Sequence, residues 1–182
     1  MAVPAILAAC LEVSETIGAA FQWWGICITL STILPFVDLV IRLKLGKVSD
    51  FHVTRKEERT VPMLFNIGYL TIGAALLWGL GAPREIVAIE MSSLFMIALA
   101  FVVTFWWKIS LHAIGLVEIY VLLLLVFRSW SFLLWSLCFP ALIVAVCWAR
   151  VYLKKHTISQ VLAGACAGAA IPVLTFWVFG LL

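Results

Sequence analysis

The sequence predicts an all-α, polytopic membrane protein: six transmembrane helices in one bundle, forming a single integral-membrane domain over residues 1–182. Two observations carry this. The chain is 65% hydrophobic and 12% charged, with a mean hydropathy of +1.19, whereas a soluble domain is about 45–50% apolar and about 25% charged. The apolar residues also fall into successive runs near the roughly 20 residues that a spanning helix needs. Lipid offers the backbone no partners, so such runs are helical.

Residues 1–22 are read either as an interfacial amphipathic helix or as an early extension of the first span. They begin without basic residues, and Glu12 and Glu15 interrupt their apolar run, which argues against a signal peptide. Spans are expected at about 23–43, 62–80, 85–107, 111–127, 130–149 and 157–181. Only Arg128-Ser129 separates the fourth from the fifth. The one sizeable polar segment is 44–60.

With six spans the termini share one side and the loops after spans one, three and five share the other. Those odd loops hold Arg42, Lys44, Lys47, Arg55, Lys56, Arg59, Lys108, Arg150, Lys154 and Lys155, while the opposite side has only Arg84 and Arg128. The positive-inside rule therefore puts the odd loops in the cytoplasm of a multi-pass cell-membrane protein. Lys154 and Lys155 are most simply topology anchors. A net charge of +3, scattered along the chain, gives no basis for binding nucleic acid. Five cysteines, Cys10, Cys27, Cys138, Cys147 and Cys166, sit in apolar surroundings without ligand spacing and read as small buried hydrophobes.

Carboxylates inside spans are costly and call for a partner or a use. Asp38 stands four residues before Arg42, the spacing of a structural ion pair. Glu118 lies about a turn and a half beyond His112 and is left open between a site and a structural role. Gly164 and Gly168 present small residues at the spacing that lets helices approach closely, here for packing within the bundle.

All three histidines, His52, His112 and His156, fall in or beside the odd loops. The first of these loops adds Arg55 and Arg59, the second Lys108 and Ser110, and the third Arg150 and Gln160. Arginine binds phosphate oxygens bidentately and offsets the charge of a phosphoryl transition state. A hydroxyl and the amides of a helix start add donors. One imidazole can attack phosphorus, and a second can protonate the departing oxygen and later activate water. No cluster of metal ligands is present, so arginine and lysine must supply the positive charge, and no cofactor is called for.

These residues resemble the type 2 phosphatidic acid phosphatase (PAP2) superfamily, metal-independent lipid phosphatases related to vanadium haloperoxidases. Arg150, His156 and Gln160 keep the spacing of its third motif, Arg-x5-His-x3-Asp, with Gln in place of Asp. Ile109-Ser110-Leu111-His112 keeps the Ser and His of the second motif, Pro-Ser-Gly-His. His52 and Arg59 keep the spacing of the first motif, Lys-x6-Arg-Pro, with His for Lys and the proline late, at Pro62. The resemblance covers about residues 50–165.

It implies His156 as nucleophile, His112 as the acid for the leaving group, and Arg150, Arg59 and Ser110 as the phosphate cradle. His52, at the lysine's place, Lys108 and Arg55 would be further phosphate ligands. Gln160 can accept a hydrogen bond from the imidazole as the family's aspartate does, but without a negative charge. A carboxylate from elsewhere, with Glu118 the nearest candidate, could replace it. The implied substrate is a lipid or polyprenyl phosphate or diphosphate whose tail stays in the bilayer. The alternative is a catalytically weak or inactive relative that binds or carries an anionic phospholipid. The sequence sets no oligomeric state, and a homo-oligomer is compatible with it.

Overall fold

The computed structural model describes residues 2–51, 53, 55–129, 132 and 136–182. Every regular element among them is helical. Helix α1 (Ala2–Val13) precedes a helical run in which α2 (Ile17–Ile28) passes through a π-turn at Thr29–Ile33 into α3 (Leu34–Lys44). Then come α4 (Thr60–Gly79), α5 (Arg84–Thr104), α6 (Leu111–Val126), α7 (Cys138–Tyr152) and α8 (Ile158–Val178).

Local chemistry sets the boundaries. Thr16 Oγ1 caps α2 by accepting from Ala19 N at 3.1 Å, so the N-terminal segment is both a helix of its own and an extension of the first span back to Ile17. The π-turn precedes Pro35, which has no N–H to continue the α register. There Leu34 N bonds Thr29 O, one residue further than an α-helical bond reaches. The α4–α5 joint turns at Gly81, whose φ of +73° suits glycine.

Among the described residues, four helical stretches are long and apolar enough to cross a bilayer: Ile17–Lys44, Thr60–Gly79, Arg84–Thr104 and Ile158–Val178. The expectation of six full-length spans is met at these four. Helices α6 and α7 have 16 and 15 residues, about 24 and 22 Å at 1.5 Å per residue, short of a hydrocarbon core of about 30 Å. Over the stretch expected at 130–149 the described helix is Cys138–Tyr152, with Pro140 in its first turn, and Phe132 and Ser136 before it are also helical. Trp130, its expected start, lies outside the described residues.

The glycine pair of α8 sets the central helix contact. A Cβ on Gly164 would stand 2.8 Å from Ser110 O, and one on Gly168 would stand 2.6 Å from Ile114 O. Only hydrogen at these two places lets α8 lie against α6, so the glycines pack the bundle as expected. Asp38 and Arg42 form the expected ion pair, Nε to Oδ2 at 2.6 Å, and the guanidinium stacks 4.6 Å from the Phe65 ring centre.

The loops before α4, α6 and α8 gather at one end of the bundle, where their residues line one cavity. At the other end Arg84 Nη2 donates to Phe179 O, and Arg128 Nη2 donates to Leu181 O. These arginines serve the unpaired carbonyls past the end of α8. Met63, Met96, Ala100, Ile109 and Ile114 form the buried cluster that neighbours Arg59 and Ser110 in sequence.

Candidate functional site

The cavity at the loop end encloses about 710 Å³. Six of the nine residues singled out from the sequence line it: Arg55, Arg59, Lys108, His112, Arg150 and His156. Ser110 and Gln160 stand behind the wall and hold it. His52 lies outside the described residues.

His156 is held from two directions. Helix α7 ends in a Schellman turn, with Lys154 N bonding Val151 O at 2.9 Å and Lys155 N bonding Arg150 O at 3.1 Å. Arg150 O also accepts from His156 N at 3.3 Å, so the main chain of one sequence-predicted residue fixes another. The turn places Lys154 at φ +54°, where glycine is usual. On the other side Thr157 and Gln160 form a capping box at the start of α8. Gln160 Oε1 accepts from Thr157 N at 3.1 Å and lies 3.2 Å from His156 Nδ1. The amide oxygen is therefore an acceptor toward the ring, so Nδ1 carries the proton of that contact.

Ser110 is fully buried. Its Oγ caps α6 by accepting from Ala113 N at 3.4 Å, and its N–H donates to Gln160 O at 3.3 Å. That last bond ties the second loop to the third. His112, two residues on, lies in the first turn of α6 with an exposed side chain.

Arg59 is 6% exposed. Its Nε donates to Val53 O at 2.8 Å, but its Nη1 is buried without a hydrogen-bond partner. Burial pulls its pKa below the usual arginine value, with Asp50 pulling the other way. Burial also lowers Lys108, helped by the charges of Arg59 and Lys155. His156 is lowered first by burial and next raised by its bond to Gln160. The charges of Lys108 and Arg59 lower it further, and a main-chain bond at Lys108 raises it. The net effect favours neutral imidazole amid cations. Arg55 stands at the rim, 72% exposed, beside Glu58 at 3.7 Å, a pairing that water weakens.

Lys155, read as a topology anchor, also lines the cavity. One expectation is corrected. Glu118 does not reach His156; its Oε1 accepts from Ser92 Oγ at 3.2 Å and Ser93 Oγ at 3.0 Å on α5. The amide of Gln160 thus stands where a carboxylate was sought. Sequence reasoning also missed Asp50 in the wall and Glu58, whose Oε2 accepts from both Ser49 N and Ser49 Oγ at 2.8 Å. Neither has a sequence signal beyond a charge in a polar loop. The capping box was legible as Thr-x-x-Gln.

The family model of the PAP2 superfamily matches residues 91–181. The chain belongs to the PAP2 superfamily. No curated protein and no solved structure matches it. The matched stretch contains Ser110, His112, Arg150, His156 and Gln160, while Arg59 comes from outside it. PAP2 membership supports a phosphatase-type enzyme acting on phosphate esters. Among the described residues no three His, Cys, Asp or Glu side chains gather at a point where they could share an ion.

Proposed function

We propose that this PAP2 protein hydrolyses a lipid or polyprenyl phosphate or diphosphate, without a metal, through a phosphohistidine. His156 Nε2 attacks the terminal phosphorus while its bond to the leaving oxygen breaks. His112 donates its proton to that oxygen, releasing the alcohol from a monophosphate or the lipid monophosphate from a diphosphate. Water then attacks the phosphorus–nitrogen bond as His112 takes its proton, and inorganic phosphate leaves. Arg59, Arg150 and Lys108 hold the phosphate oxygens, with His52 and Arg55 at the first loop as further ligands. Ser110 orients the turn that carries His112.

The observation that carries this reading is the buried, unpartnered Nη1 of Arg59 in the cavity shared with His156. An orphaned buried donor on a cation is expensive, and a phosphate oxygen is the acceptor that would satisfy it. Phosphate release in detergent with EDTA tests the reading. Phosphatidic acid, phosphatidylglycerol phosphate and a polyprenyl diphosphate would each be offered to the wild type and to His156→Ala. Metal-independent release from one of them, lost in the variant, is expected. No release from a folded protein that binds all three would overturn the reading and favour the non-catalytic lipid-binding alternative, to which the uncharged Gln160 points.

We further infer that α6 and α7 complete six crossings with the cavity opening to the cytoplasm. This accords with three loops meeting at one end and with ten of twelve Lys and Arg on that side. Lys47 is exposed beside the cavity loop. In a cysteine-free background, Lys47→Cys should react with an impermeant thiol reagent only after permeabilisation. Reaction in intact cells would reverse the orientation.

A further inference from the structure

A second cavity, of about 260 Å³, lies deeper in the bundle among α1, the π-turn, α4, α5 and α6. Leu111 lines both cavities, so the second adjoins the phosphate site along α6. Its wall is mainly aliphatic, with a few polar groups. Glu118 brings a carboxylate whose Oε1 already takes the hydroxyls of Ser92 and Ser93. Asn66 Oδ1 is buried with no donor. Ser31 and Thr32 lie in the π-turn, their hydroxyls 3.4 Å apart. A π-turn inside a helix often marks a functional place, and here it turns two hydroxyl side chains to the wall.

The unmet group in this wall is an acceptor, the Asn66 carbonyl oxygen. Whatever fills this space must bring a donor, and must otherwise be apolar to suit the aliphatic wall. A bare cation would leave most of the volume unfilled, since a single water already accounts for about 30 Å³. A carboxylate or phosphate would bring the Asn66 carbonyl oxygen no donor and would face the Glu118 carboxyl. An alcohol meets both demands: its O–H donates and its chain follows the aliphatic side.

We propose that this cavity takes the hydroxyl end of a long-chain alcohol, the class of product formed when a lipid phosphate is hydrolysed. The source of the alcohol rests on the phosphatase reading; the fit to the cavity does not. Retained there, the alcohol would block the return of the next chain, so the enzyme would be inhibited by its own lipid product.

The test uses the full chain in lipid nanodiscs and a dodecanol carrying a diazirine beside the hydroxyl. Crosslinks are expected on α5 and α6 around Ser93 and Glu118, displaced by dodecanol and not by dodecane. They should persist in His156→Ala and in the presence of inorganic phosphate. Asn66→Leu removes the orphaned acceptor at similar volume and should weaken labelling roughly tenfold while raising Tm; Thr32→Val gives a second, independent variant. Displacement by dodecane as readily as by dodecanol, or loss of labelling in His156→Ala or with phosphate, would overturn the proposal. Unaltered labelling in both Asn66→Leu and Thr32→Val would do the same. Phosphate release is measured separately, so failure of the phosphatase reading leaves the labelling pattern to decide the cavity alone.

Discussion

Gln160 Oε1 is the side-chain acceptor that faces His156, and replacing it tests how the site works. Its Oε1 faces His156 Nδ1 at 3.2 Å and also caps α8 through Thr157 N at 3.1 Å. Glu keeps the length, the capping-box geometry and the acceptor, and adds a charge. Leu keeps the bulk and removes the acceptor. As His156 attacks phosphorus its ring becomes cationic, so the bond to residue 160 is worth more in the transition state when that residue is charged. A neutral hydrogen bond contributes about 1 kcal/mol net and a charged one about 1.5–3 kcal/mol. Gln160→Glu should therefore raise kcat by about tenfold. Gln160→Leu leaves the Nδ1–H and the Thr157 N–H without that acceptor and should lower kcat by roughly ten- to a hundredfold.

The pH profile gives a second reading of the same variants. In the wild type, burial and neighbouring cations hold His156 below the ordinary histidine value, so the acid limb of kcat/KM should lie below pH about 6.5. The carboxylate of Gln160→Glu favours imidazolium and should move that limb to higher pH. The assay is metal-free phosphate release across pH, with Tm recorded for each protein. Wild-type rates in Gln160→Leu, or an unmoved limb in Gln160→Glu, would refute the claim that this contact serves the chemistry.

Four further outcomes are expected. Gly164→Ala puts a methyl 2.8 Å from Ser110 O and should lower stability by about 1–3 kcal/mol, with a larger loss of activity than of Tm. Gly68→Ala, which meets nothing within 4 Å, should be neutral or stabilising by up to about 1 kcal/mol in the same melts. Lys154→Gly relieves a left-handed residue at φ +54° and should raise stability by about 1 kcal/mol, although Lys154 is the residue a topology argument would protect. The depressed pKa of folded His156 means the unfolded chain binds a proton first as pH falls through about 6.5. Stability should therefore decline on acidification below that point, and His156→Gln should flatten that decline in melts run across the range.

The residues that reveal the chemistry were legible in the chain because their spacing is local. Arg150, His156 and Gln160 stand within about one turn-and-joint of each other, and a loop followed by a helix start holds them wherever the rest packs. The Asp38–Arg42 pair and the close-packing role of Gly164 and Gly168 are equally local in cause. The helix count was less secure, because hydropathy marks an apolar run but not where a helix stops inside it. Phe127 leaves α6 in an extended conformation, one residue before the Arg128-Ser129 pair that alone marked the break in the sequence.

What the sequence determined by itself is the membrane environment, the all-helical class and the family of the site, since each follows from composition or short-range order. Only the tertiary structure decided which charges meet. Lys155 faces the cavity because a Schellman turn closes on Arg150 O; Glu118 is withdrawn to Ser92 and Ser93 because α6 turns that face to α5. Arg59 is buried with one nitrogen unsatisfied. Such pairings join residues tens of positions apart, and their energies depend on desolvation, which exists only once the helices have packed.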